Sequence, residues 1–126
     1  MKLFKCRHCG NIAYKIYDSK VPMMCCGEKM EELIPNTSDG AGEKHVPVIE
    51  RDGDVLKVFV GEVPHPMVKE HYIMYIFLEV DNRLCIGTLN YDDKPCMEFN
   101  IKGFKGKINV YEYCNIHGLW KAEYEL

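Results

Sequence analysis

Near the C-terminus, Cys114-Asn115-Ile116-His117-Gly118 places a thiol and an imidazole three residues apart, directly after the apolar, strand-like run Ile108–Tyr113. A soft thiolate beside an imidazole is a donor set for a transition metal. A single Cys-x-x-His pair arises often by chance, and the other histidines give this one its weight. The chain has five. His8 lies inside an N-terminal Cys-x-x-Cys, and His45, His65 and His71 fall between the two ends. Two of them neighbour prolines, in His45-Val46-Pro47 and Pro64-His65-Pro66. Proline fixes φ and drives the residue before it toward extended backbone, so such a histidine is preorganised as a ligand must be. We therefore read His45, His65, His71, His117 and Cys114 as one site. Four imidazoles and a thiolate exceed what a tetrahedral structural zinc takes. They suit a five-coordinate iron with one open position, where an inner-sphere redox reaction can occur.

A second group opens the chain. Cys6-Arg7-His8-Cys9 is followed, after fifteen intervening residues, by Cys25-Cys26. A Cys-x-x-Cys knuckle turns backbone N–H groups toward its sulfurs, and a second pair completes a tetrahedron. The adjacent pair is unusual, because neighbouring ligands open the S–metal–S angle. Zinc and iron both accept four thiolates, so spacing alone leaves the metal open. His8, inside the knuckle, is expected to point to solvent. A segment this short cannot bury enough surface to fold alone, and a metal would supply the missing free energy.

The elements that position these groups read as strands. The chain has 126 residues, 47% of them apolar, enough for one ordinary domain with a small module attached. Asn11–Tyr17 looks like a strand of the module. Pro35–Gly42 is polar and turn-rich and reads as a flexible linker. Val48–Gly61 reads as a hairpin around Asp52-Gly53, and Glu62–Met67 as a proline-stiffened loop. His71–Asp81 is apolar on both faces and is expected at the centre of a sheet. Arg83–Asn90, Pro95–Ile101, Gly106–Tyr113 and Trp120–Leu126 follow at short spacing without a helical period. The fold class is therefore all-β: an antiparallel sandwich behind a metal module. Cys85 and Cys96 are read as core thiols, and Met67 as a wall of the site beside His65.

A net charge of −3 argues against a general nucleic-acid binder. The longest apolar run, Tyr72–Leu78, is far too short for a membrane span. The start carries no signal-peptide pattern, so a cytoplasmic location is expected, where disulfides are rare. Seven cysteines then read as ligands and core residues rather than staples.

In combination these motifs resemble the desulfoferrodoxins, the two-iron type of superoxide reductase, over the whole chain. Cys6, Cys9, Cys25 and Cys26 match a desulforedoxin-like, rubredoxin-type module, adjacent pair included. Glu43-Lys44-His45-Val46-Pro47, His65-Pro66-Met67, His71 and Cys114-Asn115-Ile116-His117 match the catalytic module. The resemblance implies domains over 1–37 and 38–126, the second an immunoglobulin-like sandwich. It implies two irons per chain, one held by the four cysteines and one by His45, His65, His71 and His117 in a plane with Cys114 axial. It implies a homodimer, and the reduction of superoxide to hydrogen peroxide with rubredoxin as the usual donor.

The resemblance also assigns roles to two exposed-type residues. Lys44 would draw in the superoxide anion and order water for proton delivery. Glu43 would approach the open position and ligate ferric iron. Backbone N–H groups of Ile116 and His117 would bond the Cys114 sulfur and tune its electron donation. Relatives lacking the N-terminal module keep the activity, which points to stability or dimerisation as its role. Two other classes compete: a zinc-ribbon interaction protein, and an electron carrier using the four cysteines alone. Neither accounts for Cys114 and four histidines, and a zinc protein would be colourless. A dismutase is the near rival; thiolate donation works against its oxidising half-reaction.

Overall fold

Turn chemistry and alternation carry through to the backbone, and every regular element but one short helical turn is a strand. The computed structural model describes all residues, Met1–Leu126, and separates into two units, Met1–Ile34 and Pro35–Leu126.

In the first unit, β1 (Leu3–Lys5) lies between β2 (Ile12–Tyr14) and β5 (Glu31–Glu32), while β3 (Met24–Cys25) and β4 (Glu28–Lys29) form a separate hairpin. Only Leu3, Cys6 and Met30 are well buried here, so little apolar surface supports the unit. The strand expected over residues 11–17 stops at Tyr14. Asp18 ends it by gathering the Lys15 ammonium at 2.7 Å and the Lys20 N–H at 2.9 Å, an Asx-type turn. Ile16 and Tyr17 are left exposed.

The β3–β4 hairpin explains the adjacent cysteines. Its two-residue loop is Cys26-Gly27, with φ of 51° and 74°. Two left-handed residues make the tight turn whose twist suits a hairpin. Cys25 therefore sits on a strand and Cys26 on the turn. This reversal lets neighbouring residues turn their sulfurs to one centre.

The second unit is a two-sheet sandwich. β6 (Pro47–Asp52) and β7 (Val55–Val60) form the expected hairpin, its loop Gly53-Asp54 opening with Gly53 at φ 60°. β10 (Cys96–Asn100) pairs with the other edge of β7, giving the order β10-β7-β6. The second sheet runs β12-β11-β8-β9, from β8 (Ile73–Val80), β9 (Arg83–Thr88), β11 (Lys107–Cys114) and β12 (Gly118–Glu125). All pairs are antiparallel, and β8 is central, as its two apolar faces required. The four-plus-three count is that of an immunoglobulin constant domain, but the fourth strand, β9, pairs with the third rather than the fifth.

Between the sheets lie Leu56, Val58, Val60, Ile76, Leu78, Val80, Ile108 and Val110, all essentially inaccessible. Burying each such side chain contributes roughly 1.5–3 kcal/mol. Along β11 the interior stripe reads Ile108, Val110, Glu112, Cys114, so a carboxyl group and a thiol continue an apolar row. Met97 packs over Gly87: a Cβ there would fall 1.7 Å from its sulfur, so the flexible Met97 side chain would have to move.

Three expectations change. Cys85 packs on the core, but Cys96 lies on the opposite face of β10 from Met97, in a groove of about 500 Å³ shared with Phe59 and Pro95. Strand alternation forces this, since Met97 takes the inward position. A single helical turn, α1 (Gly42–His45), appears where no helical period could announce it. The residues read as a flexible linker are held against β12. Asn36 exchanges hydrogen bonds with Lys121 on both sides of its amide, and its N–H donates to the Leu119 carbonyl at 3.0 Å.

Candidate metal centres

The Cys6, Cys9, Cys25 and Cys26 sulfurs all lie within 4.8 Å of one another. Gly10, at φ 79°, closes the knuckle by donating its N–H to the Cys6 carbonyl at 3.0 Å. Asn11 adds its N–H toward Cys9 and its side-chain amide toward Cys25. The crowding shows in the acidities. Backbone N–H donation, from Cys9 above all, holds the Cys6 thiol down to about 6, while contacts with the other sulfurs, Cys9 first, push Cys26 up to about 12. Four thiolates cannot share this space without a cation to balance them. All seven cysteines are free thiols, so no disulfide competes for them. His8 is exposed as expected, and its Nε2 lies 3.0 Å from Glu28, which also accepts from Arg7 at 2.7 Å.

The second centre is assembled from four places in the sandwich. Cys114 ends β11 and His117 precedes Gly118, at φ 76°, so the Cys-x-x-His spans a three-residue hairpin loop closed by a left-handed glycine. A bulge shifts the β8 partner of Cys114 to Ile73, the kind of irregularity that re-aims a side chain beside a site. Asn115 ties this loop to the His71 segment, accepting from the Tyr72 N–H at 2.9 Å and donating to the Glu70 carbonyl at 3.0 Å. His71 enters through an isolated bridge with Val68 just before β8. His65 is fixed by its flanking prolines and by its own N–H to the Val60 carbonyl at 3.0 Å. His45 ends α1, and Val46 is extended before Pro47, as the proline demands.

These residues meet. The ligand atoms of His45, His65, His71, Cys114 and His117 lie within 4.8 Å of one another. The four imidazoles form a quadrilateral. Its sides are 4.5 Å (His45–His65), 4.6 Å (His65–His71), 4.9 Å (His71–His117) and 4.9 Å (His45–His117), and the His45–His71 diagonal is 6.4 Å. The tautomers follow from the other ring nitrogens. His45 Nδ1 lies 3.1 Å from Glu112 and His65 Nδ1 donates to the Pro66 carbonyl at 2.7 Å, leaving each Nε2 for the centre. The Nε2 atoms of His65 and His71 are buried with no partner. A buried ring nitrogen without a partner is costly, and a metal ion between the rings would satisfy it. His117 turns its Nδ1 inward, 3.1 Å from His45 Nε2 and 3.9 Å from the Cys114 sulfur.

The electrostatics favour neutral imidazoles. Burial, then neighbouring imidazoles, holds His45 down to about 4; burial does the same to His65 and, less strongly, lowers His71. The Lys44 ammonium pushes all three further down, which places it within electrostatic reach of the rings. Burial pushes the Cys114 thiol up, opposed by N–H donation from His117, at 3.4 Å, and Ile116. Glu43 and Lys44 are exposed on α1. Their loop is docked on Gly61, where a Cβ would meet the Glu43 carbonyl at 2.7 Å. Met67, read as a wall of the site, packs on the core and accepts the Ile73 N–H at 3.4 Å.

Sequence reasoning missed Glu112, Asn115 and Trp120. Glu112 left one signal, a carboxylate inside the apolar run Ile108–Tyr113. Trp120 and Asn115 left none.

Comparison with known proteins places the chain. The Desulfoferrodoxin family pattern matches residues 37–123. The desulfoferrodoxin of Nitratidesulfovibrio vulgaris is 46% identical over 97% of this chain and 95% of its own. A superoxide reductase of Pyrococcus horikoshii is 41% identical over 77% of this chain and 98% of its own. The crystal structure of the superoxide reductase from Treponema pallidum, 29% identical, superposes with a TM-score of 0.77 over 96% of this chain and 95% of that one. With its four-cysteine group and its four-histidine, one-cysteine group both in place, this chain belongs to the desulfoferrodoxin family.

Proposed function

We propose that this chain is a superoxide reductase whose chemistry takes place at the His45, His65, His71, His117 and Cys114 set. The observation that carries the reading is the quadrilateral of four imidazoles with a buried thiol beside it, two ring nitrogens orphaned toward its centre. Both donor sets, Cys6, Cys9, Cys25 and Cys26 and His45, His65, His71, His117 and Cys114, fit iron, which when bound would supply one-electron chemistry. One electron and two protons convert superoxide to hydrogen peroxide.

The chain's own residues do the rest. Lys44, exposed beside the rings, draws in the anion and orders water for proton delivery. The His117 N–H on the Cys114 sulfur moderates its donation. Glu43, which precedes Lys44 on α1, would offer a carboxylate, a harder donor suited to the ferric state. The division of labour follows the two units, Met1–Ile34 and Pro35–Leu126. The first holds the four-thiolate iron, and the second carries the reaction.

The donor is a small one-electron protein of the rubredoxin type. The protein acts as a homodimer; exposed Ile16, Tyr17 and Val21 on the small unit support this, since apolar surface of that kind marks interfaces. Its free thiols suit the cytoplasm. No helix is long and apolar enough to cross a membrane.

The test is metal analysis with visible spectra before and after ferricyanide oxidation, beside a superoxide-consumption assay. Two irons per chain, a new long-wavelength band on oxidation and peroxide as product are expected. One zinc and no colour would overturn the reading in favour of an interaction protein.

A further inference from the structure

His45 reaches the site from a segment distant in sequence, and its orientation depends on what surrounds it. Two residues that face each other across β11 and β12, Glu112 and Trp120, hold it. Glu112 engages Nδ1, and the Trp120 indole stacks on the ring face at 4.9 Å with the planes 12° apart. Trp120 is 5% exposed. Its Nε1–H donates to the His117 carbonyl at 3.2 Å, and the Ser38 hydroxyl donates to the same oxygen. Gly40 closes the arrangement. A Cβ at Gly40 would lie 2.9 Å from both His45 Cδ2 and Trp120 Cζ2, so the chain passes directly over the edges of the stacked pair.

We infer that Trp120 is a positioning residue for the metal centre, fixing two of its four imidazoles at once: His45 by stacking and His117 through its carbonyl, with Ser38 as the second donor. The inference rests on the function proposed above and deepens it. The physical reason is rotational freedom. Nδ1 bonding to Glu112 restrains where His45 points but leaves the ring free to rotate about that contact. A flat indole against its face removes this rotation. On the other side, the His117 carbonyl belongs to the peptide leading into Gly118, whose left-handed φ leaves that peptide plane easy to tilt. Two donors on one oxygen pin it. His117 Nδ1 and the N–H that reaches Cys114 then keep their aim. Outer contacts of this kind typically change metal affinity 10- to 100-fold when removed.

The test uses the full chain, stripped of metal and titrated with cobalt(II) against a competing chelator. The thiolate-to-cobalt charge-transfer band of the five-donor set is the second readout, and far-ultraviolet circular dichroism monitors the fold. Trp120→Leu removes stack and donor and is expected to weaken cobalt binding by roughly 10- to 100-fold and to shift the band. Trp120→Phe keeps a ring on His45 and is expected to recover much of the affinity. Ser38→Ala in the Trp120→Phe background is expected to cost more than the two single changes summed, because the carbonyl then loses both donors. A band shift is not produced by a general loss of stability.

Native cobalt affinity and an unshifted band in folded Trp120→Leu would overturn the inference, leaving superoxide reduction by the parent protein untouched. If Trp120→Leu does not fold, additive behaviour of Trp120→Phe and Ser38→Ala with an unshifted band would overturn it equally. Failure of the parent chain to bind cobalt at the five-donor set would overturn both this inference and the function beneath it.

Discussion

The Glu112 carboxylate lies 3.1 Å from Nδ1 of His45, and both side chains are closed to solvent, at 0% and 2% exposure. The imidazole is neutral and so brings no positive charge against it, and burial pushes Glu112 up to about 9. A carboxyl group is retained in a core row at that cost because it selects the tautomer: with Nδ1–H directed to Glu112, Nε2 is left for the metal. Glu112→Ala should weaken metal binding at the five-donor set by roughly 10- to 100-fold. Glu112→Gln, which keeps an accepting oxygen, should lose much less. Competition titrations with cobalt(II) separate the two. Equal affinities in both variants and the parent would show that Glu112 does not orient His45.

The role proposed for Lys44 carries a different signature, because its target is a diffusing anion. Lys44→Ala should lower the second-order rate with superoxide on the order of tenfold at low ionic strength and flatten its salt dependence, with iron content unchanged. Pulse radiolysis at several salt concentrations measures both. An unchanged rate and slope would remove Lys44 from the reaction.

Glu43 shares the exposed turn α1 with Lys44, but the role proposed for it belongs to the oxidised state. Glu43→Ala should leave the first, superoxide-dependent step nearly intact and shift the long-wavelength band of the ferric protein. Spectra after ferricyanide oxidation show this directly, and an unaltered band would rule out carboxylate ligation.

The ligands were legible because their chemistry is local and rare: cysteines in Cys-x-x-Cys, histidines beside prolines, a Cys-x-x-His before a glycine. The strands were legible from alternation and from turn residues such as Gly53. What escaped is tertiary. Glu112 and Trp120 are ordinary strand residues until β11 pairs with β12 and sets them opposite each other. Asn36 and Ser38 look like linker residues because their acceptors, on Lys121 and His117, are some eighty positions away. Cys96 followed the pleat rather than its apolar type. The Cys25–Cys26 pair looked geometrically awkward until the two-residue hairpin put one on a strand and the other on the turn.

Titration of the metal-free sandwich, Pro35–Leu126, should be shaped by three buried groups. His45 and His65 sit at about 4 against an ordinary 6.5. The unfolded chain therefore binds their protons first, and stability falls as pH drops from 6.5 toward 4. Glu112, at about 9 against an ordinary 4.5, acts in the opposite sense: its folded form keeps the proton, and stability falls as pH rises from 4.5 to 9. Between 4.5 and 6.5 two histidines outweigh one carboxyl, so stability should peak near pH 6.5. Urea midpoints across this range test the balance, and a midpoint rising steadily to pH 9 would contradict the buried, protonated Glu112.

Cys9→Ser addresses what the first unit is for. With Leu3, Cys6 and Met30 as its only well-buried apolar side chains, it depends on its metal for folding, and loss of one thiolate should release that iron and loosen residues 1–34. The sandwich has its own core and its own ligands, so its iron and its thiolate band should survive. Turnover with a reduced donor then decides the electron path. If the four-thiolate iron only stabilises the chain or its dimer, Cys9→Ser should keep full turnover at the temperature where the sandwich stays folded. Loss of donor-driven turnover with an intact superoxide step in pulse radiolysis would instead make that iron an obligatory relay.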